Sequence, residues 1–336
     1  MDASYSSSDL FLKIDLSTKP SSRQTRQRLR LRRELGWTKD RASIGSQTSW
    51  EIEYSVIHSL KPWRVFKEGS SDILDIAWSS SGDTFAVASA TLSDVYNRPG
   101  NLVLGSIPLS KVKMLHGHQQ PRPEPLGGQD PILHSTVPGV GFSPSGILFS
   151  GGYDGTVKLW HPDMGVLLST RQMDDRVECL SVSPHHHNLV AVGCKTGTLE
   201  LLSWDNDGTL LSADQCVLNK TITDILYPSC LAWGGRFYNQ YLIAGYDTQS
   251  AKSNAGSLVI YDVLSGSQFM RVTPGSTRQF DIAYHPNGSF ATACAARSAK
   301  SGVKSHIRMF HFTNTGAGIE FDVDTHQLDI NRVTIS

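Results

Sequence analysis

The sequence is short of most features that announce a chemistry. It has only five cysteines (Cys179, Cys194, Cys216, Cys230 and Cys294), scattered and never spaced as C-x-x-C, so neither a disulfide framework nor a zinc knuckle is expected. No apolar run approaches a membrane span, and Met1–Asp9 lacks the apolar stretch of a secretory signal. There is no phosphate-binding glycine loop, no H-E-x-x-H, no G-x-S-x-G and no repeated catalytic carboxylate pair. No cofactor, metal, small-molecule substrate or membrane is called for, and an enzyme is not expected. Net charge is absent too: 31 Lys and Arg balance 31 Asp and Glu, so the chain as a whole advertises no polyanionic partner.

That balance conceals an asymmetry. Between Phe11 and Arg41 ten basic residues face three acids, and six arginines cluster from Arg23 to Arg33: Arg23, Arg26, Arg28, Arg30, Arg32 and Arg33. Residues 1–50 are Ser-, Thr- and Arg-rich without sustained periodicity, so they are expected to form a disordered tail. The arginine cluster reads as a nuclear-targeting patch, as a contact to nucleic acid or an acidic partner, or as a solubilising stretch. Few aromatics lie between the arginines, so base stacking is not indicated and direct nucleic-acid binding is not expected.

From Trp50 onward the texture changes. Short runs rich in Val, Ile, Tyr, Phe and Trp alternate with Gly, Ser, Asp, Asn and Pro, which is an all-β pattern. One phrase returns: Asp75-Ile-Ala-Trp78, Gly139-Val-Gly-Phe142, Cys179-Leu-Ser-Val182, Cys230-Leu-Ala-Trp233, Asp281-Ile-Ala-Tyr284 and Asn331-Arg-Val-Thr-Ile335. From Trp78 to Ile335 the last residues of these phrases lie 64, 40, 51, 51 and 51 positions apart. Blades of four short strands take ~40–50 residues. The long first interval holds a Pro- and Gly-rich insertion, His116–Pro131, expected to be a surface loop. A four-stranded sheet cannot cover both its faces alone. Stacking the sheets radially covers each with its neighbours, which places Val157 and Leu159 on one face and Trp160 on the other.

Ser150-Gly-Gly-Tyr-Asp-Gly-Thr-Val-Lys-Leu-Trp160 resembles the central hairpin of a WD40 blade, with Asp154-Gly155 as its tight turn. The resemblance extends in weaker form to about five blades and the start of another. It implies an all-β fold, a WD40-type β-propeller of four-stranded antiparallel blades that is part of a seven-bladed ring. Residues 51–336 would form that propeller, incomplete at its C-terminal end, with Ile52–Ile57 or Pro62–Phe66 as candidate closing strands. It also implies a buried structural network of Ser150, Asp154, Trp160 and a preceding histidine, assigned to His134 by its position eight residues before Phe142. Gly117-His118 is similar to the family's Gly-His dipeptide but stands apart from the next strand, and reads either as that dipeptide or as a loop tip. His185-His-His187 reads as a solvated turn, because adjacent residues cannot converge on one ion.

The function implied is a protein-interaction scaffold or adaptor in a multiprotein complex. Partners would meet the long loops: 106–135, Thr91–Pro99, Thr248–Asn254 and Ala295–Lys304. Asp94-Val-Tyr-Asn-Arg-Pro-Gly-Asn-Leu-Val-Leu-Gly105 resembles the early blade of fungal WD40 proteins, among them the WD40 subunit of a cullin-RING ubiquitin-ligase complex of heterochromatin. That likeness implies an intracellular, nuclear adaptor. The W-D-x-R box of many such adaptors is not matched, since the corresponding places read Trp160-His-Pro-Asp, Trp204-Asp-Asn-Asp and Tyr261-Asp-Val-Leu. The alternatives are a propeller hydrolase with a site at the channel mouth, or nucleic-acid binding through the arginine-rich tail.

Overall fold

Short runs of β-branched and aromatic residues between turn residues satisfy their backbone hydrogen bonds by pairing with other strands, and among the described residues every paired element is a strand. A computed structural model describes residues 65–123, 125, 127–186, 188–204, 210–217 (backbone alone), 226–235, 238–250, 253–272, 277–285, 288–296, 304–313, 316–325, 330 and 332–335. The sequence readings of the tail, its arginine patch and the segment Ile52–Ile57 therefore lie outside the described residues, as do those of Pro62–Arg64. The chain divides into two units, Met1–Lys67 and Glu68–Ser336, and every sheet belongs to the second.

The described residues form five four-stranded antiparallel sheets, the blades, each built from consecutive strands. Blade 1 holds β1 (Ile73–Trp78), β2 (Thr84–Ser89), β3 (Leu102–Ser106) and β4 (Lys111–Met114). The predicted surface loop that follows is instead a two-stranded hairpin, β5 (Gln119–Pro121) and β6 (Ile132–His134), because its two flanks pair at Gln119–His134 and Pro121–Ile132. Blade 2 holds β7 (Gly139–Phe142), β8 (Leu148–Gly151), β9 (Thr156–His161) and β10 (Val166–Gln172). Blade 3 holds β11 (Val177–Val182), β12 (Leu189–Cys194), β13 (Thr198–Trp204) and β14 (Leu210–Val217). Blade 4 holds β15 (Leu226–Trp233), β16 (Tyr241–Thr248), β17 (Ser257–Asp262) and β18 (Ser267–Arg271). Blade 5 holds β19 (Gln279–Tyr284), β20 (Ser289–Ala295), β21 (Ser305–Thr313) and β22 (Gly316–Thr325).

The repeat reaches down to its irregularities. In blades 1, 3, 4 and 5 the first strand carries a bulge at the same place, at Leu74, Glu178, Ser229 and Phe280. An extra residue in one strand of a pair bends it and sharpens its twist, which suits a strand that must turn along the inside of a propeller. The first strands β1, β7, β11, β15 and β19 lie beside one another in order. Asp75 Oδ2 accepts the Val140 amide of the next first strand at 3.1 Å, and Asp281 Oδ2 accepts the Val333 amide at 2.7 Å. Residues 332–335 thus stand to β19 as β7 stands to β1, and Arg332 also reaches Asp75 at 2.6 Å.

The core is four slabs rather than one ball. Leu102, Leu148 and Trp160 fill the gap between blades 1 and 2, while Phe149, Val157, Leu180 and Trp204 fill that between blades 2 and 3. Leu199, Leu201, Trp233, Leu242 and Tyr261 lie between blades 3 and 4, and Ile243, Ile260, Phe290 and Phe310 between blades 4 and 5. As the alternation predicts, Val157 and Leu159 of β9 enter one slab and Trp160 the other. On blade 1 no described sheet covers the face bearing Ile76 and Trp78, which are 51% and 55% exposed. Cys179, Cys194, Cys230 and Cys294 are buried free thiols, and burial raises the Cys194 pKa to about 12.

The slabs should dominate stability. Phe149 is fully buried and its ring lies 4.5 Å from that of Trp204 across the junction. Phe149→Ala is expected to cost ~3–5 kcal/mol in denaturant unfolding, whereas Ile76→Ala should cost about 1 kcal/mol or less.

Candidate functional site

Two constructions stand out on blades 1 and 2: a buried polar quartet and an exposed ridge. The quartet starts from the turn Gly152–Gly155, closed by the Gly155 amide to Gly152 O at 3.1 Å, with Gly155 at φ 71°. Asp154 accepts bonds from the Thr156 amide and hydroxyl at 3.2 and 2.9 Å, which aims its carboxylate back along β9. That carboxylate meets Nδ1 of His118 at 3.0 and 3.1 Å. His118 Nε2 lies 2.8 Å from Ser150 Oγ, and Trp160 Nε1 donates to the same oxygen at 2.8 Å.

Ser150, Asp154 and Trp160 thus come together, but the histidine they meet is His118, not His134. His134 ends β6, and its backbone is clasped by Asn97, whose Oδ1 accepts its amide at 2.8 Å and whose Nδ2 donates to its carbonyl at 2.9 Å. Burial lowers the pKa of its imidazole, with Asp130 opposing and His116 reinforcing. Counting back from Phe142 pointed to His134 because the hairpin is inserted between His118 and β7. The legible signal was Gly117-His118. A Cβ at Gly117 would stand 2.4 Å from the Trp160 ring, and one at Gly152 would stand 2.3 Å from His118 Nδ1, so both positions admit only glycine.

Donor counting fixes the protons. Asp154 can only accept and Trp160 can only donate, so all groups are satisfied when Nδ1–H points to Asp154 and Ser150 donates to Nε2. This is the connectivity of a hydrolytic triad. Its setting is not, because Ser150 and His118 are fully buried and the serine oxygen already accepts the indole N–H. The arrangement clamps the connection between β4 of blade 1 and β7 of blade 2 onto the β8–β9 hairpin. Among the described residues blades 3 and 4 use substitutes. In blade 3, Thr196 stands in the place of Asp154 and bonds Thr198 at 3.1 Å, and in blade 4 the hydroxyls of Tyr246 and Tyr261 meet at 2.8 Å.

The ridge joins two of the loops singled out in the sequence, Thr91–Pro99 and the 119–134 hairpin. Arg122 closes the hairpin on Asp130 O at 3.0 Å and pins it to Ser93 O and Asp94 O at 3.3 and 3.4 Å. Asn97 also bonds Leu92 O, and Asn101 donates to the carbonyls of His118 and Ser135, both at 2.8 Å. Arg98 turns back to Ser70 O and Gly69 O, and Asp94 accepts the Tyr96 amide at 2.8 Å. The polar side chains therefore serve the loop's own backbone while the apolar ones face water. Tyr96 is 71% exposed, Val95 65%, Leu92 47% and Ile132 38%.

Other residues noted in the sequence resolve differently. His185 and His186 reach separate carbonyls of blade 4, Gly234 O at 3.0 Å and Asn239 O at 3.2 Å, and His187 lies outside the described residues. In the 248–254 loop, Gln249 donates to Lys195 O and Asn254 to Ala296 O, while 251–252 and 297–303 lie outside the described residues. One set among the described residues could hold a metal by proximity: His306, Asp322 and Asp324, whose ligand atoms lie within 4.8 Å of one another. These side chains also form an ion-pair ladder across β21 and β22, with Arg308 on Asp322 at 2.9 Å.

The quartet carries a pH signature. Burial opposes ionisation of Asp154, but the hydrogen bond from His118, then Thr156 and the Lys158 charge, outweigh it and hold its pKa below the usual carboxylate value. A depressed folded-state pKa stabilises above the unfolded value and loses that contribution as pH falls through the folded one. Asp154→Asn should therefore cost about 1–3 kcal/mol at neutral pH. The gap from the native chain should close as acid protonates Asp154, which urea titrations across pH would show.

Known proteins place this geometry. Residues 132–161 match the family model described as WD domain, G-beta repeat, a span that takes in Ser150, Asp154 and Trp160 and leaves His118 outside. The chain is 27% identical over 291 residues to Rik1-associated factor 1 of Schizosaccharomyces pombe, covering 82% of this chain and 42% of that protein. Among solved structures it is similar to the Dos1 propeller, with a TM-score of 0.67 at 25% identity, over 79% of this chain and 65% of that one. The Cps50 (Swd1) β-propeller domain of Myceliophteria thermophila shares the fold, with a TM-score of 0.53 at 15% identity over 76% of this chain and 73% of that one. The chain thus spans less than half of the curated relative and about two-thirds of the Dos1 propeller. With its repeated four-stranded sheets and one stretch, residues 132–161, that matches a WD repeat, the chain has the fold of a β-propeller.

Proposed function

We propose that this propeller is a protein-interaction adaptor of a multiprotein complex, and that the ridge of Leu92, Val95, Tyr96 and Ile132 is one of its docking surfaces. The ridge carries the reading. Loops normally bury what apolar surface they have, and here large apolar side chains stand exposed on loops whose polar side chains are tied to backbone. Aromatic and aliphatic side chains preordered on a stiff loop lose little entropy on binding, which is how a small surface gains affinity. The name of the relative, a factor associated with Rik1, supports protein partners.

The finer assignment is a nuclear adaptor in a ubiquitin-ligase or chromatin-linked complex. Support comes from the relative and from the six arginines between Arg23 and Arg33, which we assign to nuclear targeting. The described residues contain no helix long and apolar enough to cross a membrane. The hydrolase alternative finds its best geometry in Ser150–His118–Asp154, where full burial of the serine and histidine favours the structural role instead.

Tagged chain purified from its own cells should retain stoichiometric protein partners, a Rik1 counterpart among them. Because the ridge's exposed anchors are apolar, that retention should survive raised salt. Val95→Asp with Tyr96→Asp should remove at least one partner while leaving the unfolding midpoint unchanged. A chain that emerges alone contradicts the adaptor reading. Ridge variants that keep every partner contradict the assignment of the surface.

A further inference from the structure

Only blade 2 has the full quartet among the described residues, yet the blades are held in a regular succession. One position recurs at all four junctions between described blades. It joins the end of a blade's second strand, or the turn after it, to the start of the next blade's first strand. Between blades 1 and 2, the Thr91 amide donates to Thr136 Oγ1 at 3.0 Å and the two hydroxyls meet at 3.2 Å. Between blades 2 and 3, the Tyr153 hydroxyl donates to Glu178 at 3.4 Å and the Arg176 guanidinium lies 4.7 Å from the centre of the Tyr153 ring. Between blades 3 and 4, the Lys195 ammonium lies 3.3 Å from the centre of the Tyr227 ring. Between blades 4 and 5, Arg278 grips Asp247 through two bonds of 2.7 and 2.9 Å.

The chain is also continuous along the rim. Glu178 accepts from Arg176 at 2.6 Å and pairs with Lys195 at 3.6 Å, and Tyr227 donates to Asp247 at 3.3 Å. The two carboxylates are the sheltered members, with side chains 10% and 8% exposed, while Arg176 and Arg278 are 41% and 32% exposed. Sheltered carboxylates with half-exposed cations give directional bonds without burying an unpaired charge.

We propose that this recurring junction is a rim lock that fixes neighbouring blades in register at the loop end of the propeller, one position carried by three kinds of contact. The first lock, Thr91–Thr136, lies at the base of the ridge, so the rim also sets where the ridge stands. The lock does not depend on which partner the ridge binds.

Since each blade touches only its neighbours, breaking one lock should loosen only the two turns it joins. Amide hydrogen exchange of the full chain tests this. Thr136→Val should speed exchange at the Thr91 amide on the order of tenfold, and Lys195→Met should do the same for residues 195–197 and the start of β15. Both substitutions keep side-chain volume near native, so folding is retained. Asp247→Arg combined with Arg278→Asp should restore the protection at the fifth blade that Arg278→Leu removes. Faster exchange confined to the flanking turns supports the lock. No change, an equal rise across all five sheets, or a folded charge swap that restores nothing overturns it.

Discussion

Every other feature of this molecule depends on one constraint: each four-stranded sheet has two apolar faces and can cover neither by itself. The faces meet as four slabs, each fed by side chains from two successive blades. Burial at roughly 25 cal/mol per Å2 supplies the drive, but apolar contact is non-directional and lets sheets slide. Direction comes from polar groups at the edges: the quartet in blade 2, the carboxylates of Asp75 and Asp281 on the amides of the following segments, and the contacts along the rim. A protein built this way leaves its loops free to vary without disturbing the core.

The insertion shows that freedom at work. The 119–134 hairpin is placed between His118 and the strand that the histidine serves, yet His118 still reaches Ser150 and Asp154. Asn101 holds both ends of the insertion together by donating to the carbonyls of His118 and Ser135, so the hairpin leaves and returns at one point. From there it grows outward, docks on the 91–99 loop and yields a stiff ridge. Exposed apolar surface has been added at a site where the blade geometry does not register the addition.

Much of this was legible in the sequence. Strand alternation, the recurring phrase ending at Trp78, Phe142, Val182, Trp233 and Tyr284, and the Asp154-Gly155 turn together imply the sheets and their order. Ser150, Asp154 and Trp160 were legible because they sit at fixed spacing on one hairpin. His118 was legible only through its Gly117-His118 dipeptide, since spacing along the chain stops reporting proximity once a hairpin intervenes. The polarity of the ridge was equally hidden: Asn97, Arg98 and Arg122 read as ordinary polar loop residues, and only their geometry shows them serving the backbone. The rim lacks any sequence signature because hydroxyl pairs, cation–ring contacts and an ion pair occupy one position.

The central claim is that the Ser150–His118–Asp154 constellation is a clamp inside a binding scaffold, not a reaction centre. The most direct measurement is labelling of the native chain with a fluorophosphonate, a reagent that captures activated serines, followed by peptide mass spectrometry. The account predicts that Ser150, with no exposed surface and its oxygen already bonded to Trp160, stays unmodified in the folded protein. A phosphonylated Ser150 in folded chain, lost on Asp154→Asn, would contradict it.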